Sequence, residues 1–388
     1  MCIACTSLFN SPFVFSKVLA NEASLESEVL THVMRSKHLG EERKIVVQLP
    51  KSYNASPNKV YPVIYRLDGA SNLPLISSVM ERLQSTDSAP EVIVVAIENT
   101  DRLRDFYPTV NKEPQGPVGL GGGAAKFLDF VEQELIPYIN SNFRTHNFKI
   151  ISGASAAGVF SLYAMQAKPN LFQAHLAYSP AVWWNYGAAT TRTKQFIKDN
   201  RTLETYLYMN IGEEGGIMRA RYDELQQFIQ HNKPTHMTYE SDAFDGVPHD
   251  LTAVAGVFNA YHKLFLPKQM PLKALSKDMT SIDTYYKTLS NQWGESVAPP
   301  EGAVRQLGYQ LIGAQNYDKA IQVFEYNTKL HPKSVDAWFG LSYGYESKND
   351  NTNALATLEH AIKLADKSYP YFDMLLSSKA RLKSVVLN

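Results

Sequence analysis

The sequence predicts an α/β fold, a mostly parallel sheet with helices on both faces, followed by a small all-helical repeat tail. Two observations carry this prediction. Apolar, β-branched runs alternate with helical patterns over the first two thirds of the 388 residues. Beyond about Leu266 the strand patterns stop, and only amphipathic helical spacing remains.

Seven short segments have strand patterns, because they are rich in Val, Ile and Tyr and end near glycine, proline or acidic residues. They are 44–50, 60–67, 91–97, 148–152, 174–178, 205–211 and 235–241. Helical spacing covers 127–140, 159–166 and 251–264. This alternation is typical of parallel strands joined by crossover helices, so we expect functional side chains at the carboxyl ends of the strands.

The tail repeats with a period of 34 residues, since Leu307 is matched by Leu341 and Ala320 by Ala354. This period resembles that of tetratricopeptide repeats, and the alternative is a generic helical hairpin. Two repeats are few for a stable array, so we expect them to dock on the preceding domain or on a protein partner. The predicted boundaries are 1–20 for a signal segment, 21–268 for the α/β domain, 269–300 for a connector and 301–388 for the repeats.

Composition excludes several classes of function. Lys plus Arg and Asp plus Glu are both 38, so the formal net charge is zero and nucleic acid is not expected as a partner. With only Cys2 and Cys5, neither a disulfide framework nor a cysteine metal site is expected. No run reaches the roughly 18–20 apolar residues of a membrane span.

Residues 1–20 have the features of a short secretory signal, with an apolar stretch followed by Val18-Leu19-Ala20. A positive segment is missing before the stretch, and Asn10, Ser11 and Pro12 interrupt it; an incorrectly assigned start codon would explain both. We therefore predict a periplasmic or secreted protein, and the alternative is a cytoplasmic protein with an irregular tail.

The strongest chemical signal is one serine among small residues. The run SGASAAG at 152–158 follows a predicted strand and precedes a predicted helix. A nucleophile elbow needs small neighbours, because its serine adopts a strained conformation between strand and helix. We predict that Ser155 is a nucleophile, although Ala157 replaces the last glycine of the usual G-x-S-x-G pattern. The alternative is a serine that only caps the helix.

A nucleophilic serine needs a general base and an acid that orients the base. After an elbow of this kind, the acid comes next along the chain and the histidine follows it. His249 lies in a turn-rich loop after the last predicted strand, so we predict it as the base. Glu214 is our first choice for the acid that orients the imidazole, and Glu213 is the second. Asp242 and Asp245 are weaker alternatives.

Two backbone N–H groups are expected to hold the oxyanion. Ala156 follows the nucleophile and supplies the first. The second is assigned to Ala70, because Gly69 allows a tight turn after an early strand; the alternative is an ordinary β-turn.

Five segments in order resemble the putative esterase branch of the α/β hydrolases, which includes esterase D and the enterobactin-type siderophore esterases. They are 61–69 (YPVIYRLDG), 96–108 (AIENTDRLRDFYP), 122–138 (GGAAKFLDFVEQELIPY), 153–158 (GASAAG) and 177–185 (AYSPAVWWN). The resemblance covers residues 30–265 and implies an α/β-hydrolase fold and a serine carboxylic-ester hydrolase that needs no metal or organic cofactor. Ala154 and Ala157 depart from the G-H-S-x-G-G form of the family's elbow, which leaves the substrate subclass open.

Four side chains near this site are candidates for substrate binding. Arg102 and Arg104 could contact an anionic or catechol-type group, and the alternative is ion pairing with the aspartates beside them. Trp183 and Trp184 could wall an aromatic or acyl group, and the alternative is core packing.

The main prediction is hydrolysis of a small-molecule ester through an acyl-enzyme with a Ser-His-Glu triad. Within enzymes, the alternatives are siderophore, feruloyl-ester or thioester hydrolysis and transfer to alcohols. From another class, the alternative is a repeat-containing adaptor with an inactive hydrolase domain.

Overall fold

The structure is a computed structural model that describes residues 27–86, 88–268, 279–293 and 296–387. The predicted signal segment, with Cys2 and Cys5, therefore lies outside the described residues. So does part of the predicted connector.

The centre of the molecule is an eight-stranded sheet in the order β1-β2-β4-β3-β5-β6-β7-β8. The strands are β1 Val29–Arg35, β2 Glu42–Gln48, β3 Tyr61–Arg66, β4 Ile93–Ile97, β5 Thr145–Ala154, β6 Ala174–Tyr178, β7 Thr205–Ile211 and β8 Met237–Ala243. β2 is antiparallel to both of its neighbours, and every pair from β4 to β8 is parallel. This arrangement confirms the predicted mostly parallel sheet.

Helices cover both faces of the sheet. They are α1 Leu73–Ser85, α2 Arg102–Phe106, α3 Ala124–Phe130, α4 Ile136–Asn142, α5 Ala156–Ala167, α6 Trp184–Asp199, α7 Gly216–Asn232 and α8 Thr252–Phe265. A π-helical turn at Val131–Leu135 joins α3 to α4. No helix in the described part of the chain is both long and apolar enough to cross a membrane.

Each face of the sheet has its own buried core, because side chains alternate along a strand. In β3, Val63 and Tyr65 join the core formed with α2 to α7, whereas Ile64 joins the one formed with α1 and α8. Every residue of β3 and β4 is buried. Strands of this kind read as continuous apolar runs, which is why the sequence pattern identified them.

The tail consists of helices only. They are α9 Met279–Trp293, α10 Glu301–Gly313, α11 Tyr317–Leu330, α12 Val335–Ser347, α13 Asn351–Leu364 and α14 Phe372–Val386. α12 and α13 begin 34 residues after α10 and α11 and have the same lengths, 13 and 14 residues. Two equivalent helix pairs therefore account for the sequence period, and assignment to the tetratricopeptide family stays a prediction.

The tail packs on the α/β domain. Val304 and Leu307 of α10 belong to the same buried core as α1 and α8. In α9, Trp293 meets Phe265 of α8 edge to face, with ring centroids 5.6 Å apart. Contact with the preceding domain, one of the two expected ways of covering a short repeat array, is thus present in the structure.

Candidate active site

Ser155 lies in the tight turn between β5 and α5 at φ 56° and ψ −114°. This is an unfavourable conformation for a residue with a side chain, and it has to be held by its surroundings. The Ser155 N–H donates to the Tyr178 carbonyl at 2.9 Å, and its carbonyl accepts from the Ala181 N–H at 3.2 Å. Ser155 occupies the position before α5, but its side chain makes no capping hydrogen bond. The helix-cap alternative therefore does not explain this serine.

The elbow needs a glycine at position 153. A Cβ there would lie 2.5 Å from the carbonyl oxygen of Ala157 and 2.6 Å from its Cβ. Real side chains do not approach so closely, because the overlap is with backbone that cannot move away. Ala157 itself is completely buried, so the turn accommodates alanine at this position of the G-x-S-x-G pattern.

His249 and Glu214 are joined across two loops at the carboxyl edge of the sheet. The distance between His249 Nδ1 and Glu214 Oε1 is 2.8 Å. The Glu214 side chain is only 5% exposed, and its other oxygen accepts from the Gly212 N–H at 2.6 Å. Glu213 is exposed and its backbone N–H donates to Val247. The structure thus brings together the first-choice acid and the predicted base.

Ser179 is a further member of this group that the sequence did not single out. Its hydroxyl donates to Glu214 Oε1, and the same hydroxyl lies 3.3 Å from His249 Nδ1. Ser179 is fully buried at the end of β6 and has a positive φ of 39°. Among the side-chain hydrogen bonds of the described residues, none joins Ser155 to His249. A missing bond between nucleophile and base is common before substrate binds.

Burial alone would raise the pKa of Glu214, but hydrogen bonds from Ser179, His249 and the Gly212 N–H hold that pKa below its ordinary value. The carboxylate is therefore charged at neutral pH and able to stabilise a protonated imidazole. By contrast, burial lowers the pKa of His175 to about 3. His175 accordingly stays neutral inside the sheet.

The two predicted oxyanion amides have different surroundings. Ala156 begins α5, where the first N–H groups have no partner within the helix. The Ala70 N–H donates to Glu98 Oε1 at 3.1 Å, so Glu98 occupies this amide. Gly69 makes room for that carboxylate, because a Cβ at φ 76° would lie 2.2 Å from Glu98 Oε2. Glu98 was not predicted as part of the site, because its only signal in the sequence is its place directly after β4.

The two arginines of α2 make different contacts. Arg102 forms two hydrogen bonds with Asp68, at 2.6 and 3.1 Å, and a third with the Ala154 carbonyl at 3.0 Å. Arg104 donates to Asp105 at 2.8 Å and to Glu41 at 2.7 Å. The alternative of internal ion pairing therefore describes both side chains better than substrate contact, although Arg102 pairs with Asp68 rather than with a neighbour in α2.

The two tryptophans also differ. Trp184 is 3% exposed, stacks on Tyr107 with ring centroids 3.7 Å apart, and donates to the Thr109 carbonyl. It is a core residue, so its predicted contact with substrate is replaced by the packing alternative. Trp183 is partly buried, and its ring lies against Gly116 of the loop before α3. Trp183 therefore remains a candidate for the substrate wall.

The described side chains contain no cluster of three or more His, Cys, Asp or Glu residues that could hold a metal ion.

Comparison with known proteins identifies the family. The family model described as Putative esterase matches residues 36–260. The ferri-bacillibactin esterase BesA of Bacillus subtilis (strain 168) is 30% identical over 198 residues, which cover 46% of this chain and 68% of that protein. The family-model match includes the elbow, Glu214 and His249.

Two solved structures share the fold. An IroE-like serine hydrolase from Shewanella oneidensis has a TM-score of 0.63 at 24% identity, covering 78% of this chain and all of that one. An uncharacterised protein from Capnocytophaga ochracea DSM 7271 has a TM-score of 0.65 at 18% identity, covering 92% of this chain and all of that one. Because the family model spans more than half of the 388 residues, this chain belongs to the putative esterase family and is a serine carboxylic-ester hydrolase.

Proposed function

We propose that Ser155, His249 and Glu214 form the catalytic triad of this esterase. The hydrogen bond between His249 and Glu214 is the observation that carries the proposal, because it fixes the imidazole by one nitrogen and leaves the other for the nucleophile. The strained backbone of Ser155 supports the same assignment, since it is the geometry that exposes a serine at an elbow.

In the proposed cycle, Ser155 Oγ attacks the ester carbonyl carbon while His249 Nε2 takes the hydroxyl proton. Glu214 stabilises the imidazolium that forms. Collapse of the tetrahedral intermediate releases the alcohol, which receives the proton from His249, and leaves an acyl group on Ser155. Water then attacks this ester, again through His249, and releases the carboxylic acid and the free serine.

The amides of Ala156 and Ala70 are proposed to hold the oxyanion. Because Glu98 already accepts from the Ala70 N–H, the substrate oxygen has to replace its carboxylate there. The contact also supports the assignment, since the Ala70 N–H donates to a carboxylate oxygen from another loop and is not used within its own turn. Charge-assisted bonds of this type are stronger than those to a neutral carbonyl, which favours the developing oxyanion over the ground-state ester.

Covalent labelling tests the proposal directly. A fluorophosphonate probe is expected to modify the purified full-length chain once, and peptide mass spectrometry should locate the adduct on Ser155. With p-nitrophenyl acetate, rapid mixing should give a burst of about one p-nitrophenol per active site if hydrolysis of the acyl-enzyme is slow. Labelling of a different serine would contradict the triad.

A second candidate concerns the substrate. The relative BesA is named for a ferri-bacillibactin substrate, and we propose that this chain also hydrolyses a bulky ester with aromatic groups. Apolar side chains on the elements around the site are exposed: Val118 62% and Leu120 48% in the loop before α3, Tyr186 60% in α6, Ile217 41% at the start of α7, and Leu251 51% next to His249. Exposed apolar groups concentrated around one site are typical of a binding surface.

A comparison of ester classes tests this candidate. We expect kcat/KM for a catecholate trilactone to exceed that for p-nitrophenyl acetate by at least about 10-fold, because roughly 1.4 kcal/mol of additional apolar contact in the transition state suffices. Feruloyl esters and acyl thioesters in the same panel are the competing classes. A preference for short acyl chains over all three would contradict a bulky aromatic substrate.

Two further assignments are proposals. We propose that helices α10 to α13 are tetratricopeptide-like repeats, supported by their 34-residue offset, and that their outer surface is open to a protein partner. Export to the periplasm or outside the cell remains a proposal from the sequence of residues 1–20.

A further inference from the structure

We infer that Arg102 is a positioning residue that sets the spacing of the two oxyanion amides. This inference rests on the proposed function, because it assigns a role to Arg102 within the same site. It replaces the sequence-based expectation that the guanidinium contacts the substrate.

The geometry of the guanidinium is the main evidence. Its Nε and one terminal nitrogen bind both carboxylate oxygens of Asp68, and that same terminal nitrogen, Nη2, also donates to the Ala154 carbonyl. Asp68 follows β3 closely, and Ala154 is the last residue of β5, the adjacent strand. One planar group therefore connects the two loops, and each contact lies two residues before a proposed oxyanion amide, Ala70 or Ala156.

The Asp68 loop needs such a restraint. Asp68 and Gly69 have successive positive φ angles of 67° and 76°, and the first of these is unfavourable for aspartate. The Asp68 carboxylate, 16% exposed, also accepts from Asn99 at 2.9 Å. Asn99 and Arg102 together hold a strained turn whose relaxation would move the Ala70 N–H.

A guanidinium suits this task better than an ammonium would. It presents several N–H donors in a fixed plane, so it can bind a carboxylate through two donors and a carbonyl at the same time. A lysine at this position could keep the ion pair with Asp68 but not the fixed relation to Ala154. Oxyanion stabilisation depends on donors that are already in place, so a small displacement lowers the rate of the chemical step.

Arg104 provides a matched control on the same helix. Both arginine side chains are 36% exposed, but Arg104 binds Glu41 and Asp105 and so connects α2 to the region of β2. Asp105 is itself paired with the buried Arg43. The two arginines of α2 thus have different roles, one directed to the catalytic loops and one to the scaffold.

The experiment compares Arg102→Lys and Arg102→Ala with Arg104→Lys in the full chain. We expect Arg102→Lys to lower kcat about 10- to 100-fold, as for partial loss of one oxyanion donor, with KM changed by less than about twofold. Inhibition by phenylboronic acid should weaken in proportion to kcat/KM, because its tetrahedral adduct uses the same amides. Arg104→Lys should leave kcat within about threefold of the wild-type value. Added methylguanidinium should restore part of the activity of Arg102→Ala and should not change that of Arg104→Lys.

Other results would distinguish a positioning role of Arg102 from substrate contact or a general effect on the fold. An increase in KM with unchanged kcat would mean that Arg102 contacts the substrate, and equal losses in the Arg102 and Arg104 variants would mean a general effect of α2 on the fold; either result overturns the inference. Thermal unfolding of each variant identifies the second case. If the wild-type chain hydrolyses esters and is labelled at Ser155 while Arg102→Lys is fully active, the inference fails and the proposed function stands. Absence of labelling in the wild type would instead remove the proposed function.

Discussion

Replacement of Ser155 by alanine is expected to lower kcat for p-nitrophenyl ester hydrolysis by about 10⁵- to 10⁶-fold, the loss typical of removing the nucleophile of a triad. The physical reason is that no other group can form the acyl-enzyme at the elbow. The amides of Ala156 and Ala70 remain, so about 10³-fold catalysis over the uncatalysed reaction should persist. Steady-state kinetics with a fluorophosphonate-pretreated control would separate this residual rate from contamination by wild-type enzyme.

Ser161→Ala is the matched control for this variant. Ser161 lies on the same helix, α5, is fully buried, and its hydroxyl donates to the Ala157 carbonyl at 3.1 Å. Its loss should change stability slightly and leave kcat near the wild-type value. Because alanine has the same Cβ as serine and therefore keeps the strain at φ 56°, Ser155→Ala should unfold at a temperature close to that of the wild type. Activity of the Ser155 variant within 10-fold of the wild type would overturn the nucleophile assignment.

The sheet could be predicted from the sequence because most of its strands are buried on both faces. Apolar runs identified the six strands from β2 to β7, although β5 extends three residues further on its amino-terminal side than predicted. The segment 235–241 indicated β8, which is more polar and mostly only partly buried. β1 was not predicted. It is an edge strand whose residues alternate between exposed and partly buried positions, and Val29 and Val33 face solvent at 55% and 63% exposure. An edge strand of this kind gains its stability from pairing with β2, which no local pattern records.

The candidate site divides in the same way. Ser155, Glu214 and His249 could be singled out as candidates because each has a local signal, namely small neighbours, a strand end or a turn-rich loop; their catalytic roles stay predictions. Ser179 and Glu98 could not, since their importance comes from contacts between loops that are distant in the sequence. Local signals also cannot tell whether a polar side chain binds a ligand or the protein itself. For that reason the sequence leaves both substrate contact and ion pairing open for the arginines of α2, whereas the structure gives both of them internal carboxylates.

Replacement of Glu214 by glutamine is expected to lower kcat about 10³- to 10⁴-fold, by analogy with the loss of the orienting carboxylate in other triads. Glutamine nearly preserves the shape of the side chain but removes the charge that stabilises the imidazolium. Its amide group can also present a donor to His249 Nδ1, which would favour the wrong tautomer. KM should change little, because Glu214 does not face the substrate in the proposed cycle. Kinetics on a p-nitrophenyl ester provide the measurement.

Glu213→Gln tests whether this effect belongs to the carboxylate that binds His249 or to the acidic loop in general. Glu213 is the adjacent residue and is exposed, so its variant should retain kcat within about threefold, as expected for a surface charge screened by solvent.

The pH dependence of the Glu214→Gln effect adds an independent criterion. Because the pKa of Glu214 lies below the ordinary value of 4.5, the carboxylate is ionised throughout the range above pH 4.5, and its contribution to stability is lost only when the pH falls through that lowered pKa. The cost of Glu214→Gln should therefore be present at both pH 6 and pH 8, and a cost that disappears at either pH, or that Glu213→Gln shares, would mean that Glu214 does not orient the base.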